Sequence, residues 1–206
     1  MTFPDKRFPD PGSYADAYFA VVRQAAASVD REKLREAAVI LTTAYREGGT
    51  VFACGNGGSA ALADQLVADH CKLVQTDTWL TPRVHSLSSS IDIITAVAND
   101  LSYDEVFAYQ LRSLARPGDV LVTISSSGDS ENIVRVASWA KDNGLTVISL
   151  TGFSGGRSAA IADVDLHVDA DNYGVIEDVH QSLMHILAQY IRHDHMDDDT
   201  IRDRKF

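Results

Sequence analysis

The chain has 206 residues, 45% of them hydrophobic, and a formal charge of −11 at pH 7. Length and apolar content suit one domain with a substantial core and an appended helical arm. The negative charge excludes non-specific binding to nucleic acid or to an anionic membrane, since both would repel it. Any bound phosphate must therefore be held by local dipoles.

Residues 1–12 carry three prolines and no apolar run of signal-peptide type, so they read as an extended N-terminal arm. Tyr14–Ala27 places Tyr18, Phe19 and Val22 at helical spacing. Asp30–Arg46 is a second helical pattern with Leu34, Ala37, Ala38 and Leu41 on one face and Asp30 as its N-cap. Gly48-Gly49 ends it. Thr50–Cys54 is a β-branched run entering a glycine loop, and a helix is expected from about Ser59 to Leu73. Val84–Leu87 reads as a strand, and Ile91–Ala98 and Tyr103–Leu114 as helices. Between them, Asn99-Asp100 reads as a turn that caps the next helix. Val120–Ile124 is an apolar strand, followed by helix Ser130–Asn143, strand Thr146–Leu150 and strand Val164–Val168. Gly174–His193 is a long amphipathic helix, and residues 195–206 form a charged, solvated tail.

Strands alternate with helices, and the best strands are apolar without a two-residue alternation. That pattern predicts an α/β fold: a three-layer αβα sandwich with a mostly parallel, five-stranded, flavodoxin-like sheet, plus N-terminal helices. One domain over residues 13–194 is expected. Cys54 and Cys71 have neither metal-knuckle nor redox-pair spacing, so a reducing, cytoplasmic setting is expected. No segment approaches ~20 consecutive apolar residues, so nothing is expected to span a membrane.

Three small-residue loops follow three strands: Gly55-Asn56-Gly57-Gly58-Ser59, Ser125-Ser126-Ser127-Gly128-Asp129-Ser130, and Gly152-Phe153-Ser154-Gly155-Gly156. The first two feed helix N-termini, where free N–H groups and serine hydroxyls bind an anion without lysine. Neither contains the lysine of a Walker motif, and the first is not G-x-G-x-x-G, so a nucleotide is not the expected ligand.

The motifs CGNGGSA, ANDLSYDEVF, ISSSGDSENI, LTGFSGG and EDVHQSLMHIL together resemble the sugar isomerase (SIS) fold, and more closely the phosphoheptose isomerases, over roughly residues 14–192. The resemblance implies isomerisation of sedoheptulose 7-phosphate to glycero-manno-heptose 7-phosphate through an enediol. It also implies a homotetramer with active sites at subunit interfaces. The phosphate would be gripped by Asn56, Gly57, Gly58 and Ser59 and by Ser125, Ser126, Ser127 and Ser130, with Asp100 on the sugar. The family commonly has Asn where this chain has Asp129, whose carboxylate is expected to point outward.

The chemistry needs a base, an acid near the carbonyl oxygen and often a Lewis acid. Gln65 and Asp69 share a helix face below the first loop. Glu177 and His185 lie eight apart on the last helix, about 80° apart around it. The resemblance makes these four positions a metal site, with Asp69, Glu177 and His185 as catalytic groups. The family has His, Glu, Gln and His there, so three of the four depart. Zinc is the expected ion, with manganese or magnesium as competitors, or no ion at all. His70, His85 and His180 read as structural or interface residues. A non-catalytic sugar-phosphate-binding SIS protein, like the relative that associates with the bacterial replication initiator, is the alternative.

Overall fold

Five strands form one parallel sheet in the computed structural model, which describes residues 2–204. Met1 of the arm and Lys205-Phe206 of the tail lie outside the described residues. The elements run α1 (Pro11–Ser28), α2 (Arg31–Glu47), β1 (Thr50–Gly55), α3 (Gly58–Ala68), β2 (Arg83–Ser86), α4 (Ile91–Asp100), α5 (Val106–Leu114) and β3 (Val120–Ser125). They continue with α6 (Glu131–Asp142), β4 (Thr146–Thr151), α7 (Gly156–Ile161), β5 (Val164–His167), α8 (Tyr173–Asp194) and α9 (Asp198–Asp203).

Strand order is β2-β1-β3-β4-β5. Alternate residues of each strand enter different cores, which is why the strands read as unbroken apolar runs. Val51, Ala53, Val122, Ile124, Ile148 and Leu150 face a core shared with α2, α3 and α8. Phe52, Cys54, Leu121 and Val147 face a second core with α5 and α6. The three-layer αβα sandwich expected from the sequence is the observed fold.

Four local expectations need correction. The helix after the first loop ends as α-helix at Ala68 and continues as a π-helical turn, Asp69–Val74. Residues 99 and 100 do not cap the following turn: they are the last turn of α4, and Ser102 accepts from the Asp104 N–H at 3.1 Å instead. The N-terminal arm packs on the domain rather than extending from it. Phe3 is buried against the rings of Phe8, Tyr14 and Tyr18, and its carbonyl accepts from Asn172 at 2.9 Å. Nor is the tail fully solvated. Met196 is buried, and Asp77 gathers Arg192 at 2.9 Å and Arg204 at 2.7 Å, drawing the chain end back.

Candidate functional site

From β1 the chain crosses to β2 on one side, and from β3 to β4 on the other, so the topology switches between these two adjacent central strands. Such a switch leaves a crevice at the carboxyl ends of the two strands, between the loops that follow them. The first two serine loops are those loops. Asn56, Ser59, Ser125, Ser126, Ser127 and Ser130 line one cavity with Ile124, Tyr173 and Glu177.

Helix starts in this chain fall into two kinds. Asp10, Asp30 and Asn172 cap α1, α2 and α8 with their own side chains. Like α4, α5, α7 and α9, the helices that open on the crevice, α3 and α6, have no side-chain cap. Their N–H groups and helix dipoles are therefore left for an anion. The Ser126 hydroxyl is buried with no hydrogen-bond partner, a further donor left for a ligand. Gly57, at φ 56°, makes the turn into α3.

Asn56 is held rather than free. Its amide pairs reciprocally with Asn132, both contacts at 2.9 Å, and its oxygen also accepts from the Tyr103 hydroxyl at 2.8 Å. Glu177 projects into the cavity from α8. Burial, with Asp178 nearby, raises its pKa above the ordinary carboxylate value. The third loop is a buttress. The Gly152 N–H donates to the Ser126 carbonyl at 2.9 Å and Ser158 N–H to the Gly128 carbonyl at 2.8 Å.

About three helical turns beyond the first loop, Asp69 meets His185. Asp69 Oδ2 and His185 Nδ1 are 2.7 Å apart, in contact but off the line of a hydrogen bond, so that Oδ2 is buried without an aligned donor. The Gln65 amide nitrogen donates to Asp69 Oδ1 at 2.8 Å. The Gln181 amide nitrogen is 2.8 Å from His185 Nε2. An amide nitrogen only donates, so Nε2 accepts and the ring proton sits on Nδ1, on the Asp69 side of the ring but not aimed at Oδ2.

The structure thus brings together Gln65, Asp69 and His185, and separately the serine loops with Glu177. It does not gather all four expected metal positions around one point, because Glu177 lies two helical turns before His185 and turns into the serine cavity. Gln65 donates an N–H to Asp69, and the only ligand atom it could offer a cation is its amide oxygen. Among the described residues, no three His, Cys, Asp or Glu side chains form a group able to hold a metal ion. One imidazole, one carboxylate and a donating amide do not fit zinc's tetrahedral demand. Asp100 is exposed at the end of α4, accepts from Asn99 at 2.7 Å, and does not line the serine cavity.

His70 and His180 are buried structural residues, on the Tyr45 hydroxyl at 2.6 Å and the Thr151 carbonyl at 3.1 Å. Tyr173, Gln181 and Asn132 were not legible as site residues in the sequence. Gln181 alone had a signal, lying four residues before His185 and so on the same helix face. Among the described residues no helix is long and apolar enough to cross a membrane.

The chain is similar to known proteins. The SIS domain family model matches residues 13–152. A phosphoheptose isomerase of Mycobacterium tuberculosis (strain ATCC 25177 / H37Ra) is 40% identical over 171 residues, covering 80% of this chain and 85% of the relative. One from Alteromonas mediterranea is 36% identical over 170 residues, covering 81% and 85%. The solved phosphoheptose isomerase of Neisseria gonorrhoeae superposes with a TM-score of 0.80 at 34% identity, over 88% of this chain and 98% of that one. That of Francisella tularensis gives 0.78 at 31%, over 94% and 100%. A crevice lined by serines at the β1–β3 switch, matched by this likeness along most of the chain, places the protein in the phosphoheptose isomerase family of SIS-domain proteins.

Proposed function

We propose that the protein is a phosphosugar isomerase that converts sedoheptulose 7-phosphate to D-glycero-D-manno-heptose 7-phosphate. The observation that carries this reading is the Asp69–His185 contact, with a buried carboxylate oxygen that has no aligned donor. Such an oxygen is a ready proton acceptor.

The serine loops and the open N-termini of α3 and α6 hold the phosphate. His185 lies eight residues along α8 from Glu177, a rise of about 12 Å. Helical side chains lean toward the N-terminus, so those of Asp69 and His185 lean back toward the cradle. A seven-carbon chain in its open form spans such a gap, whereas a three-carbon phosphate does not. Asp69 takes a proton from C1 while His185 gives its Nδ1 proton to the oxygen on C2, giving the enediol. His185 then takes the O1 proton as the aldehyde forms, and Asp69 returns its proton to C2. The Gln181 amide stays on His185 Nε2 and keeps the ring proton on Nδ1. Glu177, beside the phosphate end, is the third ionisable group of the site. The donor set at 65, 69 and 185 favours proton transfer without zinc. The protein works in the cytoplasm as a homo-oligomer, as its buried and unpaired Cys54 and its exposed Phe19, Val39 and Tyr190 suggest.

Incubation with sedoheptulose 7-phosphate, with and without divalent metal, tests the reading through the appearance of aldose. The departures at 65 and 177 favour the second reading, a binding protein without turnover. That reading predicts binding of the phosphosugar and no aldose under either condition.

A further inference from the structure

The second serine loop contains a carboxylate, Asp129, between Ser127 and Ser130. An ionised acid there opposes any phosphate held by the same loop. In the structure Asp129 is exposed and does not line the cavity. It is held by Arg157, from the first turn of α7. The guanidinium binds the Asp129 carboxylate through Nε and the Asp129 carbonyl through a second nitrogen at 3.0 Å. Its third nitrogen reaches Glu131 at 2.9 Å. The hydrogen bond from Arg157 lowers the pKa of the Asp129 carboxyl, and those from Arg135, then Arg157, lower that of Glu131.

Three features suggest that this clamp serves the loop rather than the fold. First, the side chains of Arg157 and Asp129 are 52% and 56% exposed, so their pairing adds little stability. Second, the two loops are pressed together by glycines. A Cβ at Gly128 would lie 1.9 Å from the Gly155 carbonyl oxygen, and one at Gly156 would lie 2.6 Å from that of Ser127. Arg157 is thereby anchored at a fixed place beside Asp129. Third, the contact to the Asp129 main chain fixes the loop itself and not only the carboxylate.

We propose that Arg157 is a positioning residue for phosphate binding. It turns the Asp129 carboxylate out of the serine cradle and offsets its charge, so that the loop can accept an anion despite the acid within it. The inference rests on the serine loops being the phosphate cradle. It assigns no contact between Arg157 and the phosphate.

The test is calorimetry with sedoheptulose 7-phosphate on the full chain, comparing wild type, Arg157→Ala, Asp129→Asn and the double variant. Arg157→Ala should bind roughly three- to tenfold more weakly at low ionic strength, with the defect shrinking in high salt. Asp129→Asn should bind as well as wild type or better. The double variant should return to within about twofold of Asp129→Asn, because removing the carboxylate removes the need for its clamp. Melting temperatures should stay close to wild type, which separates positioning from folding. Unchanged affinity in Arg157→Ala overturns the proposal. So does a double variant as weak as Arg157→Ala, which would mean that Arg157 itself holds the phosphate. Wild-type protein that does not bind the phosphosugar sinks the cradle and this inference together, whereas normal wild-type binding with an unaffected Arg157→Ala sinks the inference alone.

Discussion

The Glu177 carboxylate rests against the backbone of Gly58: a Cβ at that glycine would meet Oε2 at 2.4 Å. A carboxylic acid is therefore seated on the first turn of α3, at the helix start that opens on the serine cavity. The helix dipole favours its ionised form, but burial and Asp178 outweigh this and raise its pKa. A phosphate held in the serine cavity would raise it further.

Phosphosugar affinity should then depend on the charge of Glu177. Ionised, it opposes the anion; protonated, it does not. Because its pKa is raised, binding should weaken as pH rises through that pKa. Glu177→Gln should remove this component and leave only the ionisation of the phosphate itself. Calorimetry over about pH 5 to 8 checks it, the ordinary Glu value lying near 4.3. Parallel pH profiles for the two proteins would contradict it.

The two halves of the site should separate in kinetics. Asp69→Asn or His185→Ala should lower kcat by about 10²–10⁴-fold with a small change in KM, since in the proposed mechanism both groups act at C1 and C2 and their oxygens, not on the phosphate. Ser59→Ala and Ser127→Ala should act mainly on KM, by about 0.5–1.5 kcal/mol per neutral hydrogen bond and more where the acceptor is charged. Steady-state rates on sedoheptulose 7-phosphate decide it. Full activity in His185→Ala would remove the proton-transfer pair from the mechanism.

How much was legible follows from which interactions are local. β3 and β4 declare themselves through runs such as Val120–Ile124, because burial on both faces leaves no alternation to obscure them. The two serine loops are contiguous, so their glycines and hydroxyls could be read directly. The meeting of Asp69 with His185 joins residues 116 positions apart, and only the motifs shared with relatives pointed to it. The π-helical turn at Asp69 has no signature in a pattern of apolar spacing. The position of Glu177 also escaped. Helical geometry places it near His185 in angle around α8, but two turns of rise carry it to the phosphate end instead. The clamp by Arg157 depends on two loops packed across β3 and β4, which no local rule exposes.

Acid should unfold the protein in a defined window. His70 and His180 are fully buried, and burial lowers each pKa from 6.5 to about 4. Below pH 6.5 the unfolded chain binds protons that the folded chain refuses until about pH 4. The unfolded state therefore gains stability as pH falls through that interval. Each histidine contributes on the order of 3 kcal/mol to the loss. Urea unfolding at a series of pH values should show the decline, and His180→Gln should remove roughly half of it if the variant folds. A flat midpoint between pH 6.5 and 4 would contradict the burial argument.

Association should run through the apolar faces left outside the domain. Phe19 of α1 is 66% exposed and Val39 of α2 is 64% exposed. Ile186 and Tyr190 of α8 line a groove with Leu34 and Ala38. Light scattering at micromolar concentration should report a homo-oligomer, a tetramer on the family resemblance. Glutamate at both 186 and 190 should give a smaller species. A monomeric wild type would refute the assembly.

Metal affinity should respond to a single side chain. Gln65 donates its amide nitrogen to Asp69 Oδ1 at 2.8 Å and so holds the carboxylate, with only an amide oxygen left as a weak ligand. Gln65→His would place an imidazole four residues before Asp69, on the same face of the helix. With His185 Nδ1 at 2.7 Å from the other Asp69 oxygen, this supplies two imidazoles and one carboxylate around one point. Two nitrogen ligands suit zinc far better than magnesium or manganese, which prefer all-oxygen sets. Zinc affinity measured by competition with a chromogenic chelator should therefore rise by orders of magnitude in Gln65→His, and magnesium affinity should not. Wild-type turnover should survive exhaustive chelation, because proton transfer between Asp69, the sugar carbons and His185 needs no ion. Loss of wild-type turnover on chelation, restored by zinc, would show that an ion works at this site and would overturn the metal-free mechanism.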